Sequence, residues 1–425
     1  MKERYYGCID LKSFYASVEC VERGLDPFTA NLVVADPSRG GGAICLAISP
    51  AMKALGIRNR CRIFEIPPGV KYIIAVPRMK LYMKYSADIY AIYLRFVSSD
   101  DIHVYSVDEC FIDFTPYLKT YKKTAAEMAV MMIETVKKET GICATAGIGT
   151  NMFLAKVALD ITAKHAPDHI GQLDEEEFRR TIWHHTPITD IWNIGRGTAK
   201  RLAHMGAVDL YDVAHLDEKR LYKEFGVNAR YLIDHANGIE PCTISDIQNY
   251  TSENHSLSNS QILFEDYDFD NALIVLKEMV DGLVLELSEK GLAAGAVGLF
   301  VGYSDEALPP TGASHRLEHS TDSLRRLMPL FERIYRQTTS RTQPIRKLGI
   351  SLGNVVDAAM AEQVMFDELG ETADPEKEER ERRMQAAVIS IKNRYGKNAI
   401  IKGMSLQDHA TAVARNGLIG GHNAE

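Results

Sequence analysis

The 425-residue chain is poor in the features that mark several common protein classes. No apolar run reaches the roughly 18 residues that a membrane-crossing helix needs. The opening stretch MKERYYGCID passes straight into a strand-like segment with no signal-peptide pattern. The seven cysteines (Cys8, Cys20, Cys45, Cys61, Cys110, Cys143, Cys242) stand singly, without a CxxC pair. That argues against a disulfide framework or a cysteine zinc site and fits a reducing cytoplasm. His184 and His185 adjoin, but no nearby cysteine or HExxH spacing supports a metal, so they read as a surface pair. There is no internal repeat or low-complexity tract. Positive charge is also short, with 49 Lys and Arg against 57 Asp and Glu and a net charge of −8. A general attraction to polyanions is therefore absent.

What is present is a soluble, globular composition, 46% hydrophobic and 25% charged. The length predicts about two to four domains. The basic residues are concentrated. Met52 to Lys84 holds eight (Lys53, Arg58, Arg60, Arg62, Lys71, Arg78, Lys80, Lys84) against Glu65 alone. Arg316 to Lys347 holds eight more against Glu318, Asp322 and Glu332. Two such islands in an acidic chain point to polyanion contact at chosen places, with merely solvated faces as the alternative.

The segment DIHVYSVDECFIDF (101–114) reads as strand, interruption, strand. Asp108 and Glu109 sit side by side in its least polar part, where like charges repel and are costly to desolvate. A third carboxylate, Asp10, ends the first strand-like run, YYGCIDL. If the two strands adjoin, three acids meet, and only cations can hold them together. Oxygen-only ligands favour Mg²⁺ or Mn²⁺, and a pair of such ions is the usual clamp for in-line phosphoryl transfer. An exposed hairpin turn with incidental acids is the alternative.

Residues 1–165 mix helices and strands in an α+β order, and residues 174–240 are helix-patterned. Polar 243–260 reads as a linker, 261–355 alternates strands with helices, and the last seventy residues read as a tail carrying one charged helix.

DLKSFYASVE (10–19), YSVDECFIDF (105–114) and GIGTNMFLAKVALD (147–160) together resemble the Y-family translesion DNA polymerases, the group of bacterial DNA polymerase IV and the UmuC-type enzymes. IWNIGRGTAKRL (191–202) resembles their helix-hairpin-helix, and HSLSNSQIL (255–263) the start of their little finger. The resemblance implies a hand-like polymerase with a ferredoxin-like palm (1–15 and 79–170) and small fingers (16–78). It further implies a helical thumb (171–242), an α/β little finger (250–355) and a C-terminal tail (356–425). It also implies error-prone, template-directed DNA synthesis across damage in an SOS-type repair response, with primer-template DNA and deoxynucleoside triphosphates as substrates. A monomeric cytoplasmic protein is expected.

By position, the resemblance makes Asp10, Asp108 and Glu109 the Mg²⁺ ligands, with the backbone carbonyl of Leu11. Ser13, Phe14, Tyr15 as steric gate, and Lys156 would meet the incoming nucleotide. Gly195, Gly197, Thr198 and Lys200 in the hairpin, and Ser258 and Ser260 in the little finger, would meet DNA. EQVMFDE (362–368) resembles a degenerate sliding-clamp peptide anchored by Gln363, Met365 and Phe366. One departure stands out. Where family members carry a basic residue that grips the triphosphate from the fingers, this chain has Met52, which predicts weaker binding or help from Lys53, Arg60 or Arg62. Two rival functions remain open at this level: a DNA-binding scaffold that has lost catalysis, and a nucleotide cyclase on a similar sheet.

Overall fold

The computed structural model describes residues 4–164, 166–252, 255–360 and 375–425. Two compact units divide it, Met1–Tyr250 with Glu425, and Thr251–Ala424.

In the first unit, β1 (Tyr6–Leu11) is the centre of the main sheet. The fingers follow as a separate small sheet of β2 (Leu32–Val34), β3 (Ala47–Ile48) and β4 (Ile73–Ala75), in the order β3-β2-β4. Chain then returns through the helix Met79–Tyr93 to β5 (Ile102–Val104) and β6 (Glu109–Asp113). A second helix, Ala125–Thr140, leads to β7 (Ala144–Gly149), and β8 (Ile170–Leu173) closes the sheet. The strand order is β5-β6-β1-β7-β8, with β1 antiparallel to β6 and β7. That β-α-β-β-α-β course and order make the ferredoxin-like palm.

Local chemistry explains these elements. Thr124 and Glu127 form a capping box at the start of Ala125–Thr140, and Gly141 at φ 74° ends it. Its buried Met128, Met132 and Val136 recur every four residues and form one apolar stripe. Gly147 and Gly149 let the helix beginning at Met152 lie against β7. A Cβ at Gly147 would fall 2.2 Å from the Ala155 carbonyl oxygen, and one at Gly149 2.3 Å from the Ala155 nitrogen. No other residue fits there.

Short helices between Glu175 and Ala236 pack around Phe178, Leu202, Leu210 and Leu221, as the helical thumb requires. The expected linker is partly structured: Ile244–Asn249 is helical, started by a capping box of Thr243 and Asp246. Such a short element needs caps more than an apolar period, which is why periodicity misses it.

The second unit is a sheet of β9 (Leu257–Tyr267), β10 (Leu292–Tyr303), β11 (Ser314–Thr321) and β12 (Ile345–Gly353), ordered β11-β10-β12-β9 with antiparallel neighbours. The helices Phe269–Glu289 and Leu324–Thr338 cover one face, closing a core that includes Leu276, Leu283, Phe331 and Tyr335. The charged helix expected in the tail is present, but it is not free of the second unit. The helix Pro375–Tyr395 packs against Phe269–Glu289 and belongs to this unit. Glu381, 6% exposed, accepts from Ser323 Oγ at 2.6 Å and from the Arg325 N–H at 3.1 Å. Glu278, on the covering helix, accepts from the N–H groups of Thr411 and Ala412 at 2.7 and 3.1 Å.

Candidate active site

Strand register builds the site. Asp10 in β1 lies directly opposite Glu109 in β6, and the Leu11 N–H donates to the Asp108 carbonyl at 2.9 Å. Directly opposed residues project to the same face, so Asp10 and Glu109 share the face on which Cys8 and Phe111 meet Met152, Ala155 and Leu159. The helix Met152–Val157 brings Lys156 to that face. Lys156 Nζ is 2.7 Å from Glu109 and 3.1 Å from Asp160. The Cys8 thiol donates to Glu109 at 3.1 Å, and Ser106 Oγ donates to Asp108 at 2.6 Å.

Burial and the crowding of carboxylates set the electrostatics of the site. Burial, then Asp108, then Glu109 push the Asp10 carboxyl up to about 7. Burial opposes the charge on Lys156, yet Cys8, Glu109 and Asp160 raise its pKa overall. Among the described residues no three His, Cys, Asp or Glu side chains are grouped closely enough to hold a metal. Here Glu109 is engaged by Lys156 and Asp108 by Ser106. The donor set nonetheless fits a hard divalent cation: carboxylate oxygens, crowded and half-buried, with one carboxyl discouraged from ionising.

The turn after β1 positions the next group. Ser13 adopts the left-handed region at φ 48° and precedes the helix Phe14–Val21. Phe14 is buried. Tyr15 stacks on Tyr82 with ring centroids 4.5 Å apart and planes inclined at 17°. Tyr82 was not foreseen from the sequence, nor was Glu19, which binds its hydroxyl at 2.7 Å. A lone acid on an otherwise apolar helix was the available signal.

Met52 is fully buried in the fingers core with Val33, Cys45 and Ile48. Lys53, one residue on, is exposed. Partial burial lowers its pKa, and the charge of Asp10 raises it.

Gly195 is the N-cap of the helix Arg196–His204, which places Gly197 and Thr198 inside its first turn and not ahead of it. The preceding element is a single 3-10 turn, Ile188–Asp190. Ser258 and Ser260 are exposed on alternate positions of β9, together with Ile262 and Phe264. His184 and His185 each bind a separate carboxylate, Asp209 at 2.9 Å and Asp190 at 3.0 Å. Gln363, Met365 and Phe366 lie outside the described residues. No helix among the described residues is long and apolar enough to cross a membrane.

Comparison with known proteins agrees with this geometry. Residues 9–160 match the impB/mucB/samB family, and residues 254–365 match that family's C-terminal domain. A Bacillus subtilis (strain 168) protein named for UV-damage repair, UvrX, is 31% identical over 98% of this chain and 97% of its own length. DNA polymerase IV 2 of the same organism is 29% identical over 99% of each chain. A solved Y-family DNA polymerase chimera of Dbh and Dpo4 shares the fold at a TM-score of 0.63 and 20% identity, over 83% of this chain and 99% of that one. Both the β1–β6 carboxylate register and these full-length likenesses lead to one assignment: the chain belongs to the impB/mucB/samB family of Y-family translesion DNA polymerases.

Proposed function

We propose that this protein extends a primer 3′ end opposite damaged as well as intact template, using Mg²⁺ held by Asp10, Asp108, Glu109 and the Leu11 carbonyl. The observation that carries the reading is the direct pairing of Asp10 with Glu109, one residue from Asp108, on the face that Lys156 also reaches. An Mg²⁺ ion held by these residues would lower the pKa of the primer hydroxyl and steady the leaving pyrophosphate.

The chain's own residues do the rest. Lys156 moves from Glu109 to a phosphate oxygen of the incoming nucleotide, which frees the carboxylate for the metal. Ser13 and Phe14 offer backbone N–H groups to the phosphates. Lys53 supplies the fingers cation that Met52 does not. Tyr15, braced by Tyr82, lies beneath the sugar and excludes a 2′-hydroxyl. Gly195, Gly197, Thr198 and Lys200 meet a DNA phosphate at a helix N-terminus, and Ser258 and Ser260 meet the duplex backbone. EQVMFDE supplies a clamp contact centred on Phe366, in a monomeric cytoplasmic enzyme. Loss of clamp capture in Phe366→Ala supports that contact, and capture equal to wild type removes it.

Primer extension on defined intact and lesion-bearing templates, with and without Mg²⁺, tests the proposal. Metal-dependent addition past a lesion supports it. A folded protein that binds primer-template but adds no nucleotide is the inactive scaffold.

A further inference from the structure

The fingers present a surface that the nucleotide site does not use. An antiparallel bridge pairs Ile44 with Arg62, and Arg62 Nη1 donates to the Gly42 carbonyl at 2.6 Å. Buried Ala43, Cys45 and Cys61 alternate with exposed Ile44 and Arg62, so one face of this ribbon fills the fingers core and the other is open. Phe64 follows in a turn fastened by its N–H to the Gly41 carbonyl at 3.0 Å. The Phe64 residue is 68% exposed, and Ile44 is 48% exposed. Beside it runs Gly40-Gly41-Gly42, where a Cβ on Gly41 would lie 3.8 Å from Phe64 Cβ. Nothing in that run can cover the ring.

The segment leading into the turn is basic, with Glu65 as the exposed acid beside Phe64. Arg58 and Arg60 are exposed and make no ion pair among the described residues. Arg60, two residues before Arg62, acts electrostatically on the Tyr15 hydroxyl.

An open aromatic ring that follows two exposed arginines by four and six residues suits single-stranded nucleic acid. Unpaired bases stack on such rings while their phosphates meet the cations. A duplex hides its base faces and could use only the cations. We propose that this ribbon holds single-stranded DNA, the template not yet copied, with Phe64 as the stacking platform for one unpaired base. Which strand is held rests on the polymerase reading; the preference for a single strand does not.

The test is fluorescence anisotropy with the full chain at fixed salt. Its probes are one duplex with a 5′ template overhang of about six nucleotides and the same duplex made blunt. Phe64→Ala weakens overhang binding about 5- to 150-fold and leaves blunt binding unchanged, while Phe64→Trp restores it. Arg58→Ala weakens overhang binding and reduces its salt dependence by about one phosphate contact. Equal overhang affinity in wild type and Phe64→Ala overturns the inference. So does an equal loss on the blunt duplex, or an effect of Phe64→Ala confined to self-association in sedimentation. Matched melting curves show that the exposed substitution leaves the fold intact. Primer extension is read in parallel: a protein that binds overhangs through Phe64 but never extends a primer sinks the polymerase reading alone.

Discussion

Glu19 is fully buried on the helix that carries Tyr15, and its carboxylate gathers donors from three residues. Arg78 donates through Nε at 2.9 Å and Nη2 at 2.8 Å, Tyr82 through its hydroxyl at 2.7 Å, and Arg23 through its guanidinium. Glu19→Ala strands the fully buried Tyr82 hydroxyl and one side of Arg78. Breaking a buried pair costs about 3–5 kcal/mol, of which an unsatisfied hydroxyl supplies about 1–3 kcal/mol. Arg78 is 36% exposed and recovers hydration, which favours the lower end, about 3 kcal/mol. At about 2–4 °C per kcal/mol for a unit of this size, the melting temperature falls by roughly 6–12 °C.

The functional consequence follows from the stack of Tyr82 on Tyr15, since an untethered Tyr82 no longer fixes the gate ring. An aromatic pair is worth about 0.5–1.5 kcal/mol, so the ribo-to-deoxy insertion ratio rises about two- to twelvefold. Tyr82→Phe removes the same tether while keeping the ring, loses about 1 kcal/mol and raises the ratio in the same direction. A pH scan checks the sign. Burial raises the Glu19 pKa, but the bonds from Arg78, Tyr82 and Arg23 outweigh it and hold the group below its usual 4.5. The stabilisation is therefore full above pH 4.5 and is lost as pH falls through the lower folded value. Glu19→Ala should show a shallower acid limb. A melting temperature equal to wild type refutes the network, and a lost stability with an unchanged ratio refutes its link to Tyr15.

Other substitutions probe the site and the palm. Asp108→Ala and Glu109→Ala abolish nucleotide addition yet retain primer-template binding, and extension near the wild-type rate would reject the metal assignment. Tyr15→Ala raises ribonucleotide insertion about ten- to a hundredfold, whereas Tyr15→Phe keeps discrimination; an unchanged ratio in a well-folded Tyr15→Ala protein removes the gate. Lys53→Ala raises KM for the deoxynucleotide about tenfold with the fold intact, whereas Met52→Ala costs about 2–5 kcal/mol of stability; steady-state kinetics beside melting curves separates the two. Gly149→Ala forces a Cβ to 2.3 Å from backbone and prevents folding or costs several kcal/mol, so wild-type melting would contradict the packing.

The legible and hidden parts of the molecule divide along physical lines. The palm was readable because β1 and β6 carry apolar residues beside Asp10 and Glu109, and period-two alternation fixes which face those two acids share. Bracing of Tyr15 was hidden because Glu19 and Tyr82 lie 63 residues apart and meet only in the fold. The docking of the C-terminal helix, itself legible as a charged helix, was hidden for a different reason. Its anchors are polar, Glu381 to Ser323 and Gln385 to Ser288, and a charged sequence with polar anchors looks the same as a solvated one.

Met52 shows how one burial fact relocates a functional group. Read by position, a methionine where the family places a cation predicts a weak grip on the triphosphate. In the helix Pro50–Ala54, however, consecutive side chains point about 100° apart. Met52 fills the fingers core completely, so Lys53 must leave it. The direction it takes is set by the strand before it, since β3 pairs with β2 and fixes where Pro50 starts the helix. Lys53 thus ends within electrostatic reach of Asp10. Hydrophobic packing at one residue leaves the positive charge at the next, and under the proposed function the triphosphate grip passes to Lys53.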